Sequence, residues 1–237
     1  MCVLIKTFRA GAGSLSRAAA CAVLALLFVS CGGGDAGLIQ SNSNSVNDSL
    51  TDANVKRGVR PEPDSQAVVL EVESGGFSYG RIVIELYPNV APKMVERFKK
   101  LVQEGFYNGT AFHRVSASTG VVQGGDPNSK DDDPSNDGTG GSPYGTVPAE
   151  FSDIPYDRGV VGAARSQDIN SADSQFFITL RRVPMWDNHY TVFGRVIEGM
   201  DNAQTIAGAP TQPAHPENPA DKIIIKSATL QPRANFK

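Results

Sequence analysis

Beyond Phe106 the chain is cut into short apolar runs at residues 110–115, 121–124, 159–164, 176–180, 191–196 and 223–230, each rich in Val, Ile, Phe or Thr and bounded by Gly, Pro, Asn and Asp. Runs of this length are strands rather than helices. Upstream, Val68, Leu70 and Val72 alternate with Val69, Glu71 and Glu73, and residues 82–86 resume the period of two after Gly75 and Gly76. This pattern predicts an opening hairpin. Pro92 can start a helix, and Met94, Val95, Phe98, Leu101 and Val102 recur at helical spacing until Gly105. A second short helix is predicted over 200–206. The strands are too many and too short for a doubly wound parallel sheet. Closing them on themselves would remove unpaired edges and leave the helices at the ends. The expected fold is mainly β, a closed antiparallel eight-stranded barrel capped by two α-helices, in one domain over 64–237 without internal repeats.

The chain before residue 64 reads differently. Lys6, Arg9 and Arg17 accompany an apolar run over 18–29, about a dozen residues, too short to cross a bilayer and suited to the core of a signal peptide ending at residue 30. Residues 26–34, LLFVSCGGG, resemble the lipobox of bacterial lipoproteins, although Phe28 stands where leucine is usual. The resemblance implies cleavage before Cys31, acylation of Cys31, and a lipid-anchored place in the bacterial cell envelope, facing the periplasm or the outside. The alternative is an ordinary secretory signal that leaves a free thiol. Cys2, Cys21 and Cys31 are the only cysteines, so a chain starting at Cys31 can form no internal disulfide. Residues 31–63 hold no aromatic side chain and are predominantly polar or small, which predicts a flexible linker. A net charge of -3 provides no general attraction to polyanions, so no nucleic-acid partner is expected.

Residues 112–141 and 174–180 combine a fixed cation, an amide side chain, Gly-rich turns and paired aromatics. FHRV at 112–115, QGGD at 123–126, GTGG at 138–141, PAEF at 148–151, SQFFITL at 174–180 and YTVFGRVIEGMD at 190–201 resemble, in order, the motifs of the cyclophilin family of peptidyl-prolyl isomerases. The resemblance spans essentially the whole folded part. It implies an enzyme that rotates X-Pro peptide bonds of proline-containing polypeptide clients, working as a monomer without cofactor or metal. By the same resemblance Arg114 and Gln123 are catalytic. Phe112, Val121, Ala164, Arg165, Gln175, Phe177, Trp186 and Tyr190 are substrate-binding, with Phe112 and Phe177 lining the proline pocket.

Other readings compete at several positions. Phe112 and Phe177 are strand aromatics of the kind that usually fill a core, and Arg114 alone would be an ordinary surface arginine. His113 reads as structural, because neither His189 nor His215 stands at metal-ligand spacing from it. Asp131, Asp132 and Asp133 read as a solvated loop, since no EF-hand spacing follows. The glycines at 124, 125, 138, 140 and 141 lack the Lys-Ser or Lys-Thr of a phosphate loop and read as turns. The chain also departs from the family. Residues 116–120, SASTG, replace a segment that supplies a pocket-wall aromatic, the loop over 127–137 is longer, and Met185 and Trp186 replace the usual pair beside the pocket. These departures leave a second function open: a tethered module that binds proline-containing segments with little turnover.

Overall fold

The computed structural model describes residues 54–237; the expected signal peptide, Cys31 and most of the expected linker lie outside the described residues. None of the described helices is long and apolar enough to cross a membrane. Strands β1 (Gln66–Ser74) and β2 (Phe77–Leu86) form the expected hairpin, turning at Gly75 and Gly76 with φ of 56° and 85°. Positive φ at both central residues matches the twist of the flanking strands and is nearly free only for glycine. Helix α1 (Pro92–Gln103) carries proline in its first turn and buries Met94, Val95, Phe98, Leu101 and Val102 on one face. Its N-terminus is capped from a distance, because the Glu150 carboxylate accepts the N–H groups of Lys93 (3.2 Å) and Met94 (3.0 Å). A carboxylate there also faces the positive end of the helix dipole.

Six further strands follow: β3 (Arg114–Ser116), β4 (Val121–Gly124), β5 (Val160–Ala163), β6 (Phe176–Thr179), β7 (Val192–Glu198) and β8 (Ile224–Pro232), with helix α2 (Met200–Ala207) between the last two. All pair antiparallel in one sheet of order β3-β4-β6-β5-β7-β2-β1-β8. The sheet curls around a core centred on Phe98, whose ring lies 5.1 Å from Tyr107, 5.3 Å from Phe176 and 5.0 Å from Phe193.

Two expectations need correction. No strand ladder closes the barrel. The ends meet at an isolated Ala111–Ile224 bridge flanked by three backbone hydrogen bonds, Phe112 N–H to the Ile223 carbonyl (2.9 Å), Gly109 N–H to the Ile225 carbonyl (2.8 Å) and Ile225 N–H to the Thr110 carbonyl (2.8 Å). The chain then leaves β8 to pair with β4, and Val115 N–H turns instead to the carbonyl of Glu217 in the loop after α2. The free edge of β3 is covered by a loop, which satisfies its donor without an eighth pairing. The other correction concerns the linker, which engages the domain before residue 64. Lys56 bridges Ser152 in parallel, its ammonium donates to the Val90 carbonyl (2.7 Å), and Glu62 N–H donates to Asn89 Oδ1 (3.0 Å). Backbone hydrogen bonds hold this stretch without an apolar pattern that a sequence could reveal.

Candidate active site

Strand register builds the site. Arg114 of β3 stands opposite Gln123 of β4, Gln123 opposite Phe177 of β6, and Phe177 opposite Gly162 of β5. Residues directly opposite share a face of the sheet, so a cation, an amide and an aromatic form one row on its outer side. The next place in the row, Gly162, must lack a side chain, because a Cβ there would collide with the Phe177 ring and lie 2.7 Å from the Tyr156 hydroxyl. Its missing side chain lets Phe177 lie across the strand.

Around Phe177 an aromatic cleft assembles. Its ring centroid is 4.9 Å from Trp186, 5.6 Å from Tyr190 and 5.6 Å from Tyr156, the first two edge-on. Trp186 and Tyr190 are 5.4 Å apart. The segment carrying Trp186 is a short 3-10 turn opened by Pro184, and Asn188 follows with φ 63°, a left-handed conformation that asparagine tolerates. Phe177, Tyr156 and Val121 are buried at the cleft floor, Trp186 and Tyr190 are half-buried at its sides, and Met185 stands exposed on the rim. The Arg165 guanidinium lies 4.6 Å from the Tyr190 ring centroid and donates twice to the His189 carbonyl, at 3.1 and 2.9 Å. These contacts brace Tyr190.

Beside the cleft runs a groove of about 220 Å³ whose lining includes Gln123, Gly140, Ala164, Arg165, Ser171 and Gln175. Gln123 donates to the Gln175 side chain (3.0 Å), and Gln175 donates to the Gly140 carbonyl (2.8 Å). The buried Asp126 carboxylate holds that carbonyl's segment by accepting Asn128 N–H (2.8 Å) and Gly140 N–H (3.2 Å). A Cβ at Gly141 would come within 2.5 Å of Asp173. The GTGG segment is therefore packed against two carboxylates, as turns and close approaches require.

Of the residues expected in the site, Arg114, Gln123, Val121, Ala164, Arg165, Gln175, Phe177, Trp186 and Tyr190 gather here. Phe112 does not. It is fully buried in the main core, 6.2 Å from Phe176, on the opposite side of the sheet from Phe177. Strand β3 begins only at Arg114, so alternation from Arg114 does not extend back to Phe112. His113 is buried as well. Neither ring nitrogen has a hydrogen-bond partner, and burial lowers its pKa, keeping the imidazole neutral. The acidic loop is held by Lys222, whose ammonium meets the carbonyls of Asp131 and Lys130 and the Asp132 carboxylate (3.2 Å). No cluster of metal-ligating side chains occurs among the described residues.

Glu217 was not foreseen. Its carboxylate accepts Arg114 Nε–H at 2.6 Å, with a longer contact of 3.5 Å from Nη2. The Arg114 hydrogen bond holds the Glu217 pKa below the usual carboxylate range, helped by Ser116. Arg114 and Glu217 lie 103 residues apart, and Glu217 sits in a polar loop without periodicity. No local pattern points to it. Tyr156 was missed for a similar reason, since it belongs to a loop before β5 and reaches the cleft only through tertiary packing.

An aromatic cleft flanked by a guanidinium, an amide and an open polar groove has the chemistry to accept an apolar ring beside polar backbone. The family model described as cyclophilin type peptidyl-prolyl cis-trans isomerase/CLD matches residues 68–230. This chain belongs to that family. A probable peptidyl-prolyl cis-trans isomerase of Brucella suis is 48% identical over 157 residues, covering 64% of this chain and 78% of that one. A peptidyl-prolyl cis-trans isomerase of Schizosaccharomyces pombe is 40% identical over 157 residues, covering 65% and 95%. The crystal structure of a Cryptosporidium parvum cyclophilin-type isomerase in the presence of the dipeptide Ala-Pro superposes with a TM-score of 0.60 at 32% identity, covering 70% of this chain and 98% of that chain.

Proposed function

We propose that this cyclophilin-type peptidyl-prolyl isomerase acts on X-Pro bonds of proteins outside the cytoplasm, with Arg114 as its electrostatic catalyst and the Phe177–Trp186–Tyr190 cleft as its proline pocket. The row Arg114–Gln123–Phe177 carries this reading, because it sets a cation and an amide beside a cleft sized for a small apolar ring. Rotation about an amide faces a barrier of about 18–20 kcal/mol, since the nitrogen lone pair is delocalised into the carbonyl. For X-Pro the uncatalysed exchange takes tens of seconds or longer. A catalyst needs to bind the twisted amide better than either planar form. The Arg114 guanidinium donates to the proline nitrogen as its lone pair localises, and its charge does not titrate away. Gln123, steadied by Gln175, presents its amide to the substrate backbone. The cleft holds the pyrrolidine ring, and the groove past Ala164 takes the chain preceding proline. No covalent intermediate is needed.

Exchange spectroscopy on an Ala-Pro-Phe peptide tests this reading. Catalysed cis/trans exchange is the expected result. Saturable peptide binding with no increase in exchange would favour a binding module, a reading motivated by residues 116–120 in place of a pocket-wall segment and by the longer acidic loop, and favoured by the Glu217 carboxylate on Arg114.

The cellular place follows from residues 26–34. A lipid on Cys31 would hold the domain at the bacterial envelope, outside the cytoplasm, on the chain leading to Lys56. Metabolic labelling with a palmitate analogue is expected to mark the wild type and not Cys31→Ser. Equal labelling of both would reject the anchor.

A further inference from the structure

We propose that Arg181 forms the wall of the cleft at Gly120 and selects substrates with a carboxylate side chain just after the proline. This rests on the isomerase reading above and adds a substrate class to it. Gly120 has φ +74°, and a Cβ built there would lie 2.6 Å from both Cγ and Nε of Arg181 and 3.0 Å from its Cδ. The arginine stem therefore lies flat on the glycine, in the space a wall side chain would fill. The contact adjoins the cleft, because Gly120 directly precedes Val121, which is buried with Phe177 in the cleft floor. Phe177 and Thr179 stand opposite Gln123 and Val121; past the end of β6, Leu180 is buried in the main core with its N–H on the Gly120 carbonyl (2.8 Å), and Arg181 after it is exposed.

The charge of Arg181 is uncompensated where its neighbours' are not. Arg114 pairs with Glu217, and Arg182 pairs with Asp187 and with Asp157. Arg181 donates to the neutral Ser118 carbonyl and forms no ion pair among the described residues. A guanidinium whose stem is packed and whose fork is partly anchored loses less freedom on meeting a carboxylate than a free surface lysine would. Its place beside Gly120 decides which side of proline it reads. Gln123 and the groove lie at one end of β4, and Gly120 precedes the other end. A chain that enters over the groove and seats its proline in the cleft leaves with its next residues facing Arg181.

The test compares kcat/KM for Ala-Ala-Pro-Glu, Ala-Ala-Pro-Lys, Glu-Ala-Pro-Ala and Lys-Ala-Pro-Ala peptides, all with blocked ends, in low and high salt. The wild type is expected to prefer Pro-Glu over Pro-Lys by about 5-fold at low salt, the scale of one exposed charge contact, and to lose the preference in about 0.5 M salt. Arg181→Gln is expected to bring the ratio to about 1, and Arg181→Lys to retain part of it. Ratios within one variant do not depend on the fraction folded. Three outcomes overturn the proposal while leaving the isomerase reading intact: equal rates for the Pro-Glu and Pro-Lys peptides, a preference that survives Arg181→Gln, or a preference for acid only before proline. Failure to catalyse any of the four peptides would instead remove the isomerase reading on which the proposal stands.

Discussion

Replacing Arg114 with alanine is expected to lower kcat/KM for exchange at an Ala-Pro bond by about 100-fold, the usual effect of removing one preorganised electrostatic donor. The side chain is about a third exposed, so its loss opens no core cavity, and thermal unfolding should change little. Wild-type rates in the variant would show that Arg114 is not the catalytic cation. Glu217 refines the prediction. Its carboxylate fixes Arg114 chiefly through Nε, with a long contact to Nη2, and leaves Nη1 to face substrate. Glu217→Ala should cost on the order of 10-fold in kcat/KM through misplacement of the guanidinium, while Glu217→Gln, which keeps an acceptor, should stay within about 3-fold of wild type. Both partners are substantially exposed, so the pair adds less than about 1 kcal/mol to stability. A folded-state pKa held down by Arg114 means that the pair is intact above the ordinary glutamate range and is lost as pH falls through the lowered value. The rate should therefore be flat from about pH 6 to about pH 8, with any loss confined to acid.

Phe177→Ala should damage both stability and binding. The ring is buried and packs against Tyr156, Trp186 and Tyr190, so its removal leaves a cavity beneath the cleft. Comparable truncations cost about 3–5 kcal/mol, which lowers Tm by about 6–20 °C in a domain of this size. Of the protein that remains folded, the variant should show a raised KM, because the proline ring loses its floor. Phe177→Leu keeps most of the volume and should recover most of the stability but only part of the affinity. If Phe177→Ala lowered Tm while leaving KM unchanged, the cleft would not be the proline pocket.

What was legible in the sequence is local in origin. Gly75-Gly76 between alternating runs defined a hairpin, and Pro92 with a buried face through Val102 defined a helix. The order of FHRV, QGGD and SQFFITL identified the family, and nine of the ten residues it put forward lie around one cleft and groove. The exception is Phe112, which the resemblance put in the proline pocket but which precedes the start of β3 at Arg114 and is packed into the main core. Barrel closure was overestimated for a related reason. Residues 110–112 are strand-like in composition, yet the chain departs from β8 after a single bridge.

The sequence by itself determined element type, the family and the chemical inventory of the site, because turn glycines, hydrophobic periodicity and ordered motifs are properties of neighbouring residues. Only the tertiary structure decided which groups compensate one another: Glu217 against Arg114, Glu150 against the first turn of α1, Lys222 against the acidic loop, and the Arg181 stem against Gly120. These contacts join exposed or polar segments far apart in the chain. Ion pairs and loop packing follow no period, so nothing along the chain records them until the sheet has curled.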